Sequence, residues 1–327
     1  MPNKKAQSSS PLVYLAPMAG ISDLPFRQLV SSLGVGNVVS EMIASKAVMS
    51  DLRGWSKKLK LVSDPKNSIV QLAGCDPYWL SEAAKYVVSI GSRAVDINMG
   101  CPSKRVNRGE AGAALMKNPD LIKKIIDEVV KSVDVPVTLK MRLGWDELSK
   151  NATLLARIAE EGGIKLITIH ARTRCQFFNH KARWSEVSEI SESIKIPVVI
   201  NGDIICSKSA TTALLNSKAD GFMVGRGARG QPWILRKIWN SISKQEINYK
   251  LSVIEKVSLI SEHYENMLLF YGKKLGMKLA RKHLNWYMHN FEVPASYKHE
   301  ILTNSCENHI KSMIPKLINF KPSDVYD

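Results

Sequence analysis

The chain contains 327 residues and carries a formal net charge of +16 at neutral pH, because its 46 lysines and arginines outnumber its 30 acidic residues. A hydrophobic content of 45% excludes a disordered or fibrous protein, and no apolar run approaches the length of about 18 residues that a membrane-spanning helix needs. The charge excess favours a polyanionic partner such as RNA, DNA or an anionic membrane surface.

The first ten residues, MPNKKAQSSS, are charged and then polar, without the apolar segment of a secretory signal. We therefore expect residues 1–10 to form a disordered tail. The five cysteines are dispersed and form no CxxC pair, which argues against a disulfide framework and against a zinc site. This cysteine usage predicts a protein of the reducing cytoplasm.

Eight short apolar runs rich in β-branched residues follow one another along the chain, and each ends abruptly in a polar or glycine-containing loop. They are LVYLA, VVSE, SIVQL, AVDIN, PVTLK, LITIH, PVVIN and DGFMV, which end at Ala16, Glu41, Leu72, Asn98, Lys140, His170, Asn201 and Val224. Segments with helical spacing separate most of them, at 77–90, 119–133, 148–161 and 207–216. Asp76 and Asn118 precede two of these segments and are the expected N-caps.

The alternation of strands and helices predicts right-handed βαβ units and a parallel sheet. Eight such units fit an α/β fold of the (β/α)8 or TIM-barrel type over residues 11–243. A doubly wound open sheet is the alternative, but the first strand-to-helix turn, APMAGISD, lacks the GxGxxG pattern of a dinucleotide fold. Beyond residue 243 the strands vanish, and helices are predicted at 251–271, 275–291 and 299–314. We assign residues 244–327 to a separate, small all-α domain.

A barrel of this type carries its chemistry on the loops that follow its strands. These positions hold a series of polar residues and glycines, namely Pro17, Met18, Ala19, Glu41, Gln71, Asn98, Cys101, Lys140, Arg142, His170, Arg172, Asn201, Gly202, Asp203, Gly225, Arg226 and Gly227. Polar groups are costly to bury without partners, so this many at one end of a barrel indicate an active site.

The loops after the seventh and eighth strands, NGD at 201–203 and GRG at 225–227, predict a phosphate site in which Arg226 neutralises charge. Since the chain has neither a Rossmann turn after its first strand nor a Walker loop, the expected ligand is a mononucleotide such as FMN. Lys140 ends the fifth strand and would place a cation beside the flavin N1, where charge tunes a flavin.

Cys101 follows the fourth strand within a strongly polar loop, NMGCPSKRVNRGEAG. An ordinary thiol is mostly protonated at neutral pH, which suits a proton donor better than a nucleophile. The same loop carries Lys104, Arg105 and Arg108, and the sixth loop carries Arg172, Arg174, His180, Lys181 and Arg183. Basic groups around a catalytic mouth predict a polyanionic substrate.

Seven segments, in order across nearly the whole barrel, resemble those of the bacterial tRNA-dihydrouridine synthases, most closely the B-type branch. They are LAPMAGISDLPFR (15–27), VQLAG (70–74), DINMGCPSKRV (96–106), LKMRLGW (139–145), IHARTR (169–174), INGDI (200–204) and VGRGARGQPWI (224–234). The GCP loop followed by basic residues and the IHARTR segment are the specific ones, whereas APM and NGD occur in other flavin barrels.

The resemblance implies a tightly bound FMN contacted by Pro17, Met18, Ala19, Gln71, Lys140, His170, Asn201, Gly202, Asp203, Gly225 and Arg226. It implies that Asn98 and Arg142 lie near the uracil and that Cys101 is the catalytic acid. The implied reaction reduces the C5–C6 bond of D-loop uridines in tRNA. NADPH reduces FMN, hydride passes from flavin N5 to uracil C6, and Cys101 protonates C5.

The predicted helical domain contains a ten-residue stretch, KKLGMKLARK at 273–282, with five basic and no acidic side chains. At helical spacing Lys274, Lys278, Arg281 and Lys282 share one face, while Leu275, Leu279 and Trp286 form a neighbouring apolar stripe. We predict that Lys278, Arg281 and Lys282 bind tRNA phosphates, together with Arg172 of the sixth loop. The alternative is a solvated helix face.

Two other functions are considered beside the tRNA-modifying one. A small-molecule FMN barrel of the dihydroorotate dehydrogenase kind explains Lys140 and NGD, but not the basic loops or the helical extension. A non-catalytic tRNA chaperone is disfavoured by the intact Cys101 and FMN positions. We expect a cytoplasmic monomer that binds tRNA, FMN and NADPH, without a metal or a membrane.

Overall fold

The computed structural model describes residues 10–34, 36–50, 68–243 and 249–322. Within these ranges the strands are β1 (Leu12–Leu15), β2 (Asn37–Val39), β3 (Ile43–Ala44), β4 (Ser68–Ala73), β5 (Ala94–Met99), β6 (Val137–Arg142), β7 (Leu166–His170), β8 (Val198–Asn201) and β9 (Gly221–Val224). All of their pairings are parallel. The predicted eight runs are therefore strands of one parallel sheet.

The sheet closes into a barrel, because β1 pairs with both β9 and β2, and β2 also pairs with β4. The short strands β2 and β3 pair with successive parts of β4 and so occupy one of eight positions. The predicted TIM barrel is confirmed. Its second strand is broken after Val39, where the Ser40 hydroxyl accepts the Gln71 N–H at 3.1 Å in place of a ladder bond.

Helices follow the strands around the barrel and continue beyond it. They are α1 (Leu24–Ser32), α2 (Ser45–Ser50), α3 (Pro77–Ser89), α4 (Lys104–Arg108), α5 (Pro119–Ser132), α6 (Ala152–Glu161), α7 (Ser188–Ser193), α8 (Ser207–Ser217), α9 (Ile234–Ile242), α10 (Val253–Tyr271), α11 (Lys273–Met288), α12 (Ala295–Thr303) and α13 (Glu307–Met313). The carboxylate of Asp76 and the amide oxygen of Asn118 accept N–H groups at the starts of α3 and α5, so both predicted N-caps are confirmed.

Two of the differences between the predicted and the observed helices have local causes. Helix α6 begins at Ala152 and not at residue 148, because the Asp146 carboxylate accepts the N–H groups of Leu148 and Ser149 and turns the chain first. The segment 299–314, predicted as one helix, is divided between α12 and α13. Asn304 turns to an extended conformation there, and its side chain accepts the Cys306 N–H at 2.7 Å.

The C-terminal helices share a hydrophobic cluster of their own and pack against the start of the barrel. Phe26 of α1 lies between two buried histidines, His263 of α10 and His283 of α11, with ring centroids 5.6 and 5.5 Å away. The Tyr271 hydroxyl donates to the Asp23 carboxylate at 2.9 Å. These contacts hold α11 beside the loop that follows β1.

Parts of the predicted organisation fall outside the described residues. Residues 1–9 of the expected tail and residues 244–248, which contain the expected start of the helical domain, are among them, as are residues 323–327. In the part of the chain that the structure describes, no helix has both the length and the apolarity to cross a membrane.

Candidate active site

A cavity of about 1030 Å³ opens where the barrel strands end. It is lined by the residues that the sequence places in the barrel site with the exception of Glu41, namely Pro17, Met18, Ala19, Gln71, Asn98, Cys101, Lys140, Arg142, His170, Arg172, Asn201, Gly202, Asp203, Gly225, Arg226 and Gly227. The Glu41 carboxylate instead accepts the Gly20 N–H. Because parallel strands of a barrel end at the same face, residues from the strand ends and from the loops after them meet around one space although they are distant in sequence.

A buried hydrogen-bond network joins three strands beneath the cysteine loop. The Asp96 carboxylate accepts from Gln71 and Thr138, each at 2.6 Å, and Asn98 donates to the Gln71 side-chain oxygen at 2.7 Å. Asn98 in turn accepts the backbone N–H of Cys101 at 3.0 Å. Burial raises the pKa of Asp96, which the hydrogen bonds from Thr138 and Gln71 oppose. Asn98 thus holds the backbone N–H of Cys101 in place.

Lys140 supplies a buried cation at the base of the cavity. Its ammonium donates to the Asn201 side-chain oxygen at 3.1 Å, and the Asn201 amide donates to the Met223 carbonyl at 2.8 Å. Burial, and then the charge of Arg142, lower the pKa of Lys140 to about 8. The lysine is still mostly charged at neutral pH. The fold therefore holds a cation at a position where burial and the neighbouring Arg142 destabilise the charged form.

We expect Lys140→Met to stabilise the flavin-free protein at pH 7. The unfolded chain binds the lysine proton more tightly than the folded chain does. The free energy of unfolding of the wild type therefore rises between about pH 8 and pH 10.5, where Lys140 loses its proton in the folded protein but keeps it in the unfolded chain. The variant should therefore gain about 1–3 kcal/mol at pH 7, even though it lacks the hydrogen bond to Asn201, and this gain should shrink across that pH window. Thermal unfolding of both proteins from pH 7 to pH 10 measures the difference. A gain that is absent at pH 7, or independent of pH, contradicts the argument.

Arg142 joins the loop that carries Cys101 to the sixth loop, which follows β7 and carries Thr173 and Phe177. Its Nε donates to the Gly100 carbonyl at 2.7 Å, and its Nη1 donates to the carbonyls of Thr173 and Phe177, both at 2.9 Å. Burial and the nearby Arg172 lower the pKa of Arg142 to about 10, so it remains a cation. This residue lines the cavity and also supports two of its loops.

Arg172 is enclosed by acceptors and is 2% exposed. Its Nη2 donates to Asp203 and to the His180 carbonyl, each at 2.6 Å, and its Nη1 lies 3.1 Å from His170 Nε2. Arginine can only donate, so His170 Nε2 accepts and the ring carries its proton on Nδ1. Burial, with the charge of Arg142, holds the pKa of His170 well below its usual value. His170 is therefore neutral and faces the cavity as a fixed polar group.

The NGD turn allows the chain to pass close to His170. Gly202 has φ +117°, and a Cβ there would lie 3.0 Å from the Ala182 Cβ and 3.1 Å from His170 Cδ2. Asp203 has φ +53° and accepts the Ala182 N–H at 2.7 Å in addition to the bond from Arg172. The turn is thus hydrogen-bonded to the sixth loop, and its close approach to Ala182 and His170 requires glycine at position 202.

The charge of the lining suits an anionic ligand. Five cationic side chains border the cavity, from Lys140, Arg142, Arg172, Arg226 and Arg229. Among the described lining residues, the one carboxylate is Asp203, which is paired with Arg172. The part of the chain that the structure describes contains no cluster of three or more His, Cys, Asp or Glu side chains that could hold a metal ion.

The sequence does not predict several of the lining residues, namely Met42, Phe177, Phe178, Arg229, Trp286, His289 and Asn290. Phe178 is half exposed and lies beside two guanidinium groups, with Arg226 at 4.9 Å and Arg142 at 5.5 Å from its ring centroid. The last three come from the end of α11 and the turn after it. Helical periodicity assigns Trp286 to an apolar stripe, and only the packing of α11 on the barrel shows that it reaches the cavity.

The three predicted tRNA-binding residues of α11 do not line the cavity, and they differ in their contacts. Arg281 donates to the Asn304 carbonyl at 3.3 Å, and Lys282 donates to the Gly20 carbonyl at the barrel rim. Lys278 is exposed, as is Lys274 one turn before it. The predicted basic face therefore exists, but two of its members also make contacts within the protein.

The amino-acid sequence matches a family model and several known proteins over most of its length. A family model described as dihydrouridine synthase (Dus) matches residues 14–320. This chain belongs to the dihydrouridine synthase family. A probable tRNA-dihydrouridine synthase of Rickettsia conorii is 45% identical over 287 residues, which cover 88% of this chain and 87% of that protein. The tRNA-dihydrouridine synthase B of Pasteurella multocida is 42% identical over 282 residues, covering 86% and 84%. The family resemblance seen in the sequence is confirmed.

Solved structures support the barrel assignment at the level of fold. Histamine dehydrogenase from Rhizobium sp. 4-9 aligns with a TM-score of 0.52 and 13% identity, over 96% of this chain and 63% of that chain. A variant of NCR from Zymomonas mobilis aligns with a TM-score of 0.52 and 16% identity, over 71% of this chain and 87% of that chain.

Proposed function

We propose that this protein is a tRNA-dihydrouridine synthase, an oxidoreductase that uses FMN and NADPH to reduce the C5–C6 bond of uridines in the D-loop of tRNA. One observation carries the proposal. Cys101, Asn98, Lys140 and Arg142 line a single cationic cavity in a chain of the dihydrouridine synthase family. The names of the relatives, which specify tRNA, support the substrate.

The lining fits FMN in charge and in hydrogen-bonding groups. Lys140, Asn201 and neutral His170 offer fixed donors and acceptors to a polar ring edge, while Gly202, Gly225 and Arg226 are suited to the phosphate. Pro17, Met18, Ala19, Gln71 and Asp203 complete the proposed cofactor set. When bound, FMN would supply the hydride for C6, which it obtains from NADPH.

Cys101 is proposed as the acid that protonates C5. Its backbone is held on both sides, since its N–H donates to Asn98 and its carbonyl accepts from the Asn107 amide at 3.0 Å and the Ala113 N–H at 3.2 Å. The thiol transfers its proton to C5 and is left as a thiolate. The cations of Lys140 and Arg142, which border the same cavity, would stabilise that negative charge.

The substrate must present its uracil in an extrahelical position to reach these groups. Bases in an RNA stack cannot enter a barrel mouth, so the target uridine has to be splayed out. Asn98 and Arg142 are proposed to bind the uracil there, and Arg172 to support the loop that faces the RNA.

A direct assay tests the proposal. Protein supplied with FMN and NADPH is incubated with tRNA from a strain that lacks this gene, and dihydrouridine is mapped by mass spectrometry. Formation of dihydrouridine in the D-loop is expected, with no turnover of free dihydroorotate or other small pyrimidines. Turnover of a free pyrimidine without modification of tRNA would instead identify a small-molecule barrel oxidoreductase.

We further propose that the helices of residues 249–322, the described part of the domain predicted at 244–327, bind the tRNA body through the exposed face of α11. Replacing Lys274 and Lys278 together by Gln should weaken tRNA binding and flatten the plot of log K against log salt by about one unit for each phosphate that is no longer neutralised. The same double change at the exposed Lys123 and Lys124 of α5 is the matched control. If the α11 variant and the α5 control have the same affinity for tRNA and the same salt dependence, the basic face of α11 is exposed to solvent and does not bind tRNA.

A further inference from the structure

The end of α11 forms part of the cavity wall, through Trp286 and the following residues His289 and Asn290. It is fixed there by backbone contact with the loop after β9. Gly230 has φ +71°, a Cβ at that position would overlap the Trp286 carbonyl, and the Asn290 amide donates to the Gly230 carbonyl. The loop that carries Arg226 and Arg229 and the end of α11 therefore occupy fixed positions relative to each other.

Arg229 and Trp286 form a stacked pair at this wall. The guanidinium carbon lies 5.0 Å from the indole centroid, and both side chains are half-buried. Among the described residues, Arg229 has no acidic partner, and its buried Nε has no hydrogen-bond acceptor. Burial and the charge of Arg226 lower the pKa of Arg229. A partly desolvated guanidinium without an anion, stacked on an aromatic ring beside a cavity, indicates a ligand that has both a negative charge and a flat ring.

We propose that Arg229 and Trp286 bind a nucleotide adjacent to the target uridine, with Trp286 stacking on its base and Arg229 neutralising its phosphate. This inference rests on the proposed function. When a uridine leaves the stack, its neighbour loses a stacking partner, and RNA-binding proteins replace that partner with aromatic rings and arginine planes.

The position of Trp286 on α11 favours RNA over the dinucleotide reductant. Trp286 is eight residues beyond Lys278, a distance of about 12 Å along a helix at 1.5 Å per residue. One helix therefore leads from an exposed basic face, suited to the RNA backbone, to the aromatic subsite at the cavity. NADPH also combines a ring with phosphates, and its binding is the alternative that the experiment must separate.

The two half-reactions are measured separately in variants of the FMN-loaded enzyme. Trp286→Ala should raise the KM for tRNA about 10-fold, since stacking on one base typically accounts for such a factor. Trp286→Phe should restore most of the affinity. Arg229→Gln should raise the KM several-fold and flatten the salt dependence of tRNA binding by about one unit. The rate of flavin reduction by NADPH, and its dependence on NADPH concentration, should follow the wild type in all three.

A matched control is available elsewhere in the barrel. Trp239 of α9 is also half-buried beneath an arginine, with Arg236 at 5.4 Å from its ring, and it does not line the cavity. Trp239→Ala should leave the KM for tRNA unchanged.

Three results would overturn the subsite. The first is an unchanged KM for tRNA in Trp286→Ala. The second is a rise in the KM for tRNA that is as large in Trp286→Phe as in Trp286→Ala. The third is a change confined to flavin reduction by NADPH, which would assign Arg229 and Trp286 to the binding of the reductant. The wild-type enzyme is the reference for the proposed function itself. If the wild type makes no dihydrouridine, the proposed function fails, whereas normal wild-type turnover with an unaffected Trp286→Ala contradicts the subsite alone.

Discussion

Cys101→Ala is expected to lower the rate of dihydrouridine formation by about 10²–10⁴-fold, the usual contribution of general acid catalysis. The flavin content and the oxidation of NADPH by O2 should remain close to those of the wild type, because the thiol side chain makes no hydrogen bond to any residue that the structure describes. That loop is held through the Cys101 backbone by Asn98, Asn107 and Ala113. Dihydrouridine is quantified by mass spectrometry of tRNA from single time courses.

Cys306→Ala is the matched control for this variant. Cys306 is exposed, precedes α13, and makes no side-chain cap to that helix, so its removal should not change the rate of product formation. Product formation by Cys101→Ala at the wild-type rate would show that the thiol is not the acid.

Arg172→Ala is expected to destabilise the flavin-free protein by about 3 kcal/mol and to abolish flavin retention. The substitution leaves Asp203 without its ion-pair partner and removes the donors to the carbonyls of Asn179 and His180. It also removes the contact that holds His170 in one tautomer. Denaturant unfolding gives the free energy of unfolding, and absorbance of the purified protein gives the flavin content.

The control for Arg172→Ala is an exposed ion pair of similar length. Lys85 of α3 lies 2.7 Å from Glu82 with its side chain 54% exposed, and Lys85→Ala should leave both stability and flavin content unchanged. If Arg172→Ala were as stable as Lys85→Ala and still bound flavin, the sixth loop would not depend on this arginine.

The barrel and most of its lining could be predicted from the sequence because two regularities act together. Each strand is a short apolar run, and parallel strands of a barrel end at one face, so residues such as Gln71, Lys140 and Asn201 had to meet. The breaks at Ser40 and Asn304 could not be predicted in this way. They depend on single side chains that bond to the backbone and replace regular hydrogen bonds, and the same residue types often occur in unbroken elements.

The contribution of α11 to the cavity was also outside the reach of sequence patterns. Periodicity places Trp286 on an apolar stripe but does not say which surface covers that stripe. The answer depends on the close approach at Gly230 and on the packing of Phe26 between His263 and His283, which orient the helix on the barrel. The same packing explains why Arg281 and Lys282 are engaged within the protein.

The cationic lining connects stability with the proposed chemistry. Burial lowers the pKa of both Lys140 and Arg142, and the charge of Arg142 adds to the effect on Lys140 as that of Arg172 does on Arg142, so the protein by itself disfavours these charges. An anionic cofactor and an RNA substrate would relieve this repulsion. Ligand binding should therefore stabilise the protein more at low salt than at high salt.

The most direct test of the account is a single-turnover reaction without oxygen. Protein loaded with FMN is reduced with one equivalent of NADPH and then mixed with tRNA from a strain that lacks the gene. The account predicts that flavin absorbance returns and that dihydrouridine appears in the D-loop in equal amount, and that Cys101→Ala does neither at a comparable rate. Reduced flavin that persists in the presence of this tRNA, but is reoxidised by a free pyrimidine, would contradict it.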